Sequence, residues 1–121
     1  MHKPQSSTVL EHAIEVAELA RPVVALVQRR DSDLASWFFN HSSASQLRRA
    51  ISSIALNLAE ARGNAGGNTR VRYESALGSL YEARAAVLLA VAWGYASRAS
   101  VASVLGALDC LGGRVFGLAK K

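Results

Sequence analysis

The chain has 121 residues, enough to bury one hydrophobic core, so we expect a single domain over residues 1–121 with a flexible N-terminus over residues 1–7. Half of the residues are hydrophobic, and the formal net charge is +5. The longest apolar run, residues 85–93, is far shorter than the roughly 18 residues of a membrane-spanning helix. Because no signal-peptide core follows the N-terminus and the chain has one cysteine, we expect a cytoplasmic protein without an intramolecular disulfide.

The first predicted helix runs from Thr8 to Arg30. Thr8 and Glu11 form a candidate capping box at its start. Pro22 lies inside the segment and predicts a kink or a break into two helices. Apolar residues cover more than one side of this helix. One side carries Leu10, Ile14, Ala17, Val24 and Val27, and the flanks carry Val9, Val16, Leu19, Val23 and Leu26.

A predicted linker over residues 31–43 contains Trp37, Phe38 and Phe39, which either stack nucleic-acid bases or plug an end of the domain. The second predicted helix follows and ends at Gly63, with Ser43 and Gln46 as a candidate capping box. Its apolar residues recur at spacings of three and four, which is typical of a helix in a bundle. They are Leu47, Ile51, Ile54, Leu58 and Ala61, and a polar row beside them consists of Gln46, Arg49, Ser53, Asn57 and Glu60.

A glycine-rich turn separates this helix from the third, which is predicted from Thr69 to Trp93 with Asn68 as a possible cap. The fourth is predicted from Arg98 to Leu118. Gly112 and Gly113 interrupt it, which indicates either close packing of the backbone or a weak helix. The apolar seams are Tyr73, Ala76, Leu80, Ala83, Val87 and Ala90 in the third helix, and Val101, Val104, Leu108, Leu111, Val115 and Leu118 in the fourth. With short connections, these patterns predict an all-α antiparallel up-and-down bundle of four helices.

The excess of apolar surface on helices of such a small chain favours burial against other copies of itself over a monomer with an apolar exterior. The remaining reactive side chains do not indicate a catalytic or metal-binding site. His2, His12 and His41 are scattered, no Glu-x-x-His pair for a di-metal bundle occurs, and Cys110 is expected in the core. We therefore predict no catalytic residue, no metal, no cofactor and no small-molecule substrate.

Two segments resemble a known family. The first consists of Gln46, Leu47, Arg48, Arg49 and Ala50, followed by Ser53, Ile54, Asn57, Leu58, Ala59 and Glu60. The second consists of Ala76, Gly78, Ser79, Leu80 and Glu82, followed by Gly94 and Tyr95. Both are similar to motifs of the 23S rRNA intervening-sequence proteins, once called S23 ribosomal proteins. The chain departs from those motifs at Leu58, where the family has Ile, and at Ala61, where it has Gly.

The resemblance implies a left-handed four-helix bundle that assembles as a ring-shaped homo-oligomer, a pentamer with a central channel. The family is related to accessory proteins of diversity-generating retroelements, which bind nucleic acid through a basic surface. Most members have no assigned molecular function, so the resemblance permits nucleic-acid binding without specifying it.

Arginine supplies eleven of the fourteen cationic side chains, and its planar fork suits phosphate groups. Arg70 and Arg72 lie at the start of the third helix, where the helix dipole disfavours a cation. With Arg62 they form a basic tip that helix stability does not explain. Our hypothesis is RNA or DNA binding, and its candidate phosphate contacts are Arg48, Arg49, Arg62, Arg70 and Arg72.

A second hypothesis is a scaffold or protein–protein adaptor bundle without nucleic-acid activity. Polar residues of the second and third helices are expected to converge as a network that fixes register and subunit pairing rather than performing catalysis. These residues are Ser53, Asn57, Glu60, Ser79 and Glu82.

Overall fold

The structure is a computed structural model, and it describes residues 8–33, 43–63 and 68–121. These residues form four helices and no strand, as the sequence predicts. The helices are α1 (Val9–Asp33), α2 (Ser43–Gly63), α3 (Thr69–Ala92) and α4 (Arg98–Ala119). Predicted bounds agree closely at most ends, and α1 extends three residues beyond its predicted end. The aromatic trio of residues 37–39 and the predicted flexible residues 1–7 lie outside the described residues.

The four helices form a square in which neighbours in sequence are neighbours in space. α2 packs between α1 and α3, and α4 packs between α3 and α1. Residues that meet across α2 and α3 run in opposite directions along the two helices, as Ser53 with Ser79 and Glu60 with Arg72 show. At the other side of the square, His12 near the start of α1 meets Arg114 near the end of α4. The arrangement is therefore an up-and-down antiparallel bundle.

The predicted apolar seams form the core. All five seam residues of α2 are buried, as are five of the six in α3 and five of the six in α4. Tyr73 and Leu118, at the ends of their helices, are partly exposed. Sequence periodicity therefore identifies the buried faces of α2, α3 and α4 correctly.

On α1 the predicted face is partly wrong. The buried residues follow the spacing that starts at Ala13 and continues through Val16, Ala20 and Val23 to Val27, while Ile14 is 47% exposed. Apolar residues surround this helix, so its composition does not specify which side meets the other three helices. Of the two alternatives predicted at Pro22, a kink or a break, the break is wrong, because α1 continues through this residue as one helix. Pro22 is exposed, so the carbonyl that lacks its N–H partner can bond to water instead.

The helix ends agree with the predictions in two places and differ from them in two. Thr8 and Glu11 form the expected reciprocal capping box, with bonds of 2.8 and 3.0 Å. Gly94 ends α3 with a φ of 81°, a conformation that glycine adopts without strain. Asn68 occupies the N-cap of α3 but makes no capping bond with its side chain. A capping box of Ser97 and Ser100 starts α4, and sequence reasoning missed it because the third position holds Ser rather than Glu or Gln.

The two adjacent glycines of α4 differ in their surroundings. A Cβ atom added at Gly112 would lie 3.3 Å from Leu80 Cδ2, whereas a Cβ at Gly113 would meet nothing within 4 Å. Close packing therefore explains Gly112 and leaves Gly113 without a packing role. Cys110 is exposed, which corrects its predicted place in the core. The core positions of this stretch are Leu108 and Leu111, so Cys110 falls on the outer side of the helix.

By length and composition alone, α3 and α4 are both apolar enough to cross a membrane, with mean hydropathies of 1.3 and 1.5. Each carries charged side chains near its middle, Glu82 and Arg84 in α3 and Asp109 in α4. Charged residues at the centre of a spanning helix cost about 2.5–3.5 kcal/mol each by insertion scales. In this fold the seam residues of both helices lie in the bundle core, but only 33% and 28% of the two apolar windows are buried. Arg84 Nε donates to Asp109 Oδ1 at 2.9 Å between the two helices.

Candidate nucleic-acid interface

Arg48 and Arg49 lie next to each other on the exposed side of α2. Arg48 Nη2 donates to Gln28 Oε1 of α1 at 3.4 Å, which holds the guanidinium over the junction of the two helices. Arg62 is exposed in the last turn of α2, where the helix dipole favours a cation. These three arginines place positive charge along the outer surface of one helix.

Arg70 and Arg72 have different surroundings. Arg70 Nε lies 3.4 Å from Glu74 Oε2 one turn further along α3, and both side chains are largely exposed. Arg72 reaches across to α2, where Nη2 lies 3.1 Å from Glu60 Oε1 and Nη1 donates to Asn57 Oδ1 at 3.3 Å. This corrects our inference that stability does not explain the cations at the start of α3, because Arg72 ties α3 to α2.

A continuous polar network links α2 and α3. The hydroxyl oxygens of Ser53 and Ser79 are 2.7 Å apart. Asn57 Nδ2 donates to the backbone oxygen of Ser53 at 2.9 Å and to its Oγ at 3.2 Å, while Asn57 Oδ1 accepts from Arg72. The side chain of Asn57 thus uses both ends of its amide, and the network continues through Arg72 to Glu60.

The structure brings four of the five predicted network residues together and leaves out Glu82. Glu82 is exposed beside a groove between α2 and α3. Sequence reasoning assigned Arg72 to phosphate binding and missed it as a network member. The antiparallel register of α2 and α3 could have identified Arg72 as a network member. When Ser53 faces Ser79, the same register places Glu60 opposite Arg72. Ser79 is the one polar residue that is buried among the described residues.

The groove between α2 and α3 has a volume of about 560 Å³. It is lined by the small residues Ala50, Ala85 and Ala86 and by Gln46, Arg49, Ser53, Glu82 and Leu89. Since Arg49 and Glu82 carry opposite charges, the groove itself is not selective for anions. The cationic surface is the outer side of α2, rather than this groove.

His12 is the described residue whose ionisation is clearly perturbed. Partial burial, and then the nearby Arg114 charge, lower the pKa of the His12 imidazole, while Glu15 opposes the shift. Arg114 Nη1 lies 3.1 Å from His12 Nδ1, so the neutral ring accepts a hydrogen bond from the guanidinium. Within the described residues no three His, Cys, Asp or Glu side chains gather as they would around a metal ion. His12 therefore serves a contact between α1 and α4.

The fold and the network define an up-and-down helical bundle with a polar α2/α3 interface, and the comparisons agree with that class. The model of the family described as "23S rRNA-intervening sequence protein" matches residues 12–116. The chain belongs to this family, as its α2 and α3 motifs predict.

One solved structure with the same fold comes from Bacteroides thetaiotaomicron VPI-5482 and is described as a protein of unknown function from the S23 ribosomal protein family. The comparison has a TM-score of 0.80 and covers 94% of this chain and 100% of that one. At 16% sequence identity it supports the fold alone. No functionally curated protein matches the chain. The relation to retroelement accessory proteins stays a prediction.

Proposed function

We propose that this protein is a non-enzymatic, self-associating four-helix bundle that binds RNA or DNA through the arginines on the outer side of α2. The observation that carries the proposal is the pair of adjacent, exposed guanidinium groups of Arg48 and Arg49 on a chain of net charge +5. Arginine binds phosphate with two parallel hydrogen bonds, which makes such pairs typical of nucleic-acid surfaces.

We rank the five proposed phosphate contacts by the surroundings of each guanidinium group. Arg48, Arg49 and Arg62 are first, because they are exposed and no described glutamate or aspartate forms an ion pair with them. Arg70 and Arg72 are second, because Glu74 and Glu60 offset part of their charge. Nucleic-acid binding would therefore depend more on α2 than on the start of α3.

The proposed assembly state is a homopentamer, as the family resemblance implies. The proposed location is the cytoplasm, in keeping with the single cysteine of the chain. The physical support for self-association is the number of large apolar side chains that the single chain leaves exposed away from the outer side of α2, among them Tyr81 at 58% and Trp93 at 70%. Burying such side chains against other copies is favourable by about 25 cal/mol for each Å² of apolar surface.

The test is fluorescence anisotropy of labelled RNA and DNA over a salt series. The triple variant Arg48→Gln, Arg49→Gln and Arg62→Gln is compared with a matched control, Arg98→Gln, Lys120→Gln and Lys121→Gln, which removes equal charge at the two ends of α4. Each lost phosphate contact should lower the slope of log affinity against log salt by about 0.7–0.9. We expect a slope reduced by about 2 in the α2 variant and a smaller change in the control.

Equal losses in the two triple variants would contradict a specific α2 surface. No binding by the wild-type protein at low salt would contradict the function itself. That result would favour the second candidate, a scaffold or adaptor, which the exposed apolar side chains support. For the adaptor, Asn57→Leu or Glu82→Leu should change the assembly mass or the melting temperature without a nucleic-acid phenotype.

A further inference from the structure

We propose that two copies of this chain pair through α1 in an antiparallel two-fold contact, with the acidic first half of one α1 against the basic second half of the other. The contact uses one stripe of exposed residues along the helix. They are Glu11, Ile14, Glu18, Arg21, Ala25 and Gln28. This inference does not rest on nucleic-acid binding, although Arg48 lies both at this contact and on the proposed phosphate surface.

The stripe has the geometry of a helix-packing face. Its members are separated alternately by three and four residues, which places them on one side of a helix. All six are exposed, and Ile14 keeps 47% of its surface in water although it is a large apolar side chain. The bundle core uses the opposite side of α1, and Ile14 lies outside that core. Inside the single chain this face contributes the cap of Glu11 on Thr8 and the hydrogen bond that Gln28 accepts from Arg48.

Charge is segregated along the stripe, with Glu11 and Glu18 in the first half and Arg21 in the second. The helix dipole explains Glu11, which lies in the first turn and also caps the backbone N–H of Thr8. It does not explain Glu18 or Arg21, because the dipole acts within the first and last turns and these two lie in the middle of α1. Neither residue forms an ion pair with another described residue.

In one antiparallel register, every residue of the stripe faces a complementary residue of the second copy. Glu18 then faces Arg21 of the second copy, and Ile14 faces Ala25, whose small side chain lets the two helices approach. Glu11 faces Gln28 of the second copy, and Arg48 lies beside this position because its guanidinium donates to Gln28 Oε1 at 3.4 Å. The two-fold axis repeats every one of these contacts, as an isologous interface requires.

A groove beside the stripe would receive Ile14 of the second copy. It lies between α1 and α2, has a volume of about 420 Å³, and is lined by apolar residues that include Ala20, Val24 and Ile51. Its charged lining residues are Arg21 and Arg48, and no carboxylate lines it. The groove therefore complements a helix that carries an apolar side chain between two glutamates, and Glu11, Ile14 and Glu18 form such a segment of this same chain.

In a parallel arrangement Glu18 would face Glu18 of the second copy, and the two like charges would repel each other. The contact also differs from a ring-forming interface, which joins two different surfaces head to tail, whereas a two-fold contact closes after two units. In a protein that forms rings it would join two rings. Because the contact depends on exposed ion pairs and little apolar surface, salt should weaken it.

The experiment is sedimentation velocity of the full chain at low and high salt, for the wild type and for Glu18→Arg and Arg21→Glu separately. Each single variant places like charges across the proposed interface, while an equimolar mixture of the two restores both pairs in a mixed assembly. We expect the low-salt wild-type mass to be twice that of either variant and the mixture to regain the wild-type mass. Arg98→Glu, which makes the same charge change as Arg21→Glu but at the start of α4, should keep the wild-type mass.

Single variants that sediment like the wild type would overturn the proposal. A mixture that stays at the lower mass would also overturn it, provided that circular dichroism shows both variants folded, because the charges would then act by some route other than direct pairing. The contact would also be excluded if the masses of the wild type and of both variants were all independent of salt.

Discussion

The interface between α2 and α3 and the two interfaces of α4 are built differently. A network of five side chains from Ser79 to Glu60 joins α2 to α3. α4 is held by a regular apolar seam, by Gly112 against Leu80, by the exposed pair of Arg84 and Asp109, and by the contact of Arg114 with His12.

This difference teaches how the bundle obtains one register. Apolar seams are non-directional, so two helices can shift relative to each other at a modest cost. Hydrogen bonds require particular distances and angles, and a shift by one turn would leave Ser79 without its partner. The polar interface of α2 and α3 therefore specifies alignment, while the seam of α4 supplies burial. The family-like motifs contain four of the five network residues, which agrees with this division.

The largest expected effect comes from cutting the network at Asn57. Asn57→Ala removes the amide that bonds both to Ser53 and to Arg72, so the free energy of unfolding should fall by about 1–3 kcal/mol. Urea denaturation measures this loss. Ser52→Ala, at an exposed neighbouring position of the same helix, is the matched control and should change the stability little. Equal stability of the two variants would show that the network does not hold α2 against α3.

A smaller effect of opposite sign is expected on α4. Gly113→Ala should stabilise the protein by about 0.5–1 kcal/mol, because alanine is the better helix former and its methyl group would meet no neighbour. Gly112→Ala should gain less, since its methyl group would press against Leu80. Paired thermal melts compare the two. A larger gain at Gly112 would contradict the close packing of α3 against α4 at this point.

The smallest expected effect concerns pH at the α1/α4 contact. Because the folded state lowers the pKa of His12 below its usual 6.5, the unfolded chain binds the proton first as the pH falls. The His12 contribution to stability is therefore present above pH 6.5 and is lost as the pH falls toward the lower folded-state pKa. Melting temperatures of the wild type and His12→Gln between pH 5 and 8 should converge on the acidic side. A difference that does not vary with pH would contradict the lowered pKa.

Periodicity in the sequence was sufficient for the fold. Apolar residues spaced by three and four predicted the four helices and the buried faces of α2, α3 and α4. It was insufficient for α1, where Ile14 and Val16 are equally apolar and only the position of the other helices distinguishes them. Cys110 was misplaced for a related reason, since exposure depends on what packs against each side.

The sequence by itself determined the helices, the family, and the polar row of α2 that contains Ser53 and Asn57. Only the tertiary structure decided which residues complete that row, because Ser79 and Arg72 are 26 and 15 residues away from their partners along the chain. The surroundings of the arginines were also decided by the tertiary structure. Residue type and local spacing can be read from the sequence. Whether a carboxylate offsets the charge of a guanidinium depends on the register of the helices, and register is a property of the packed bundle.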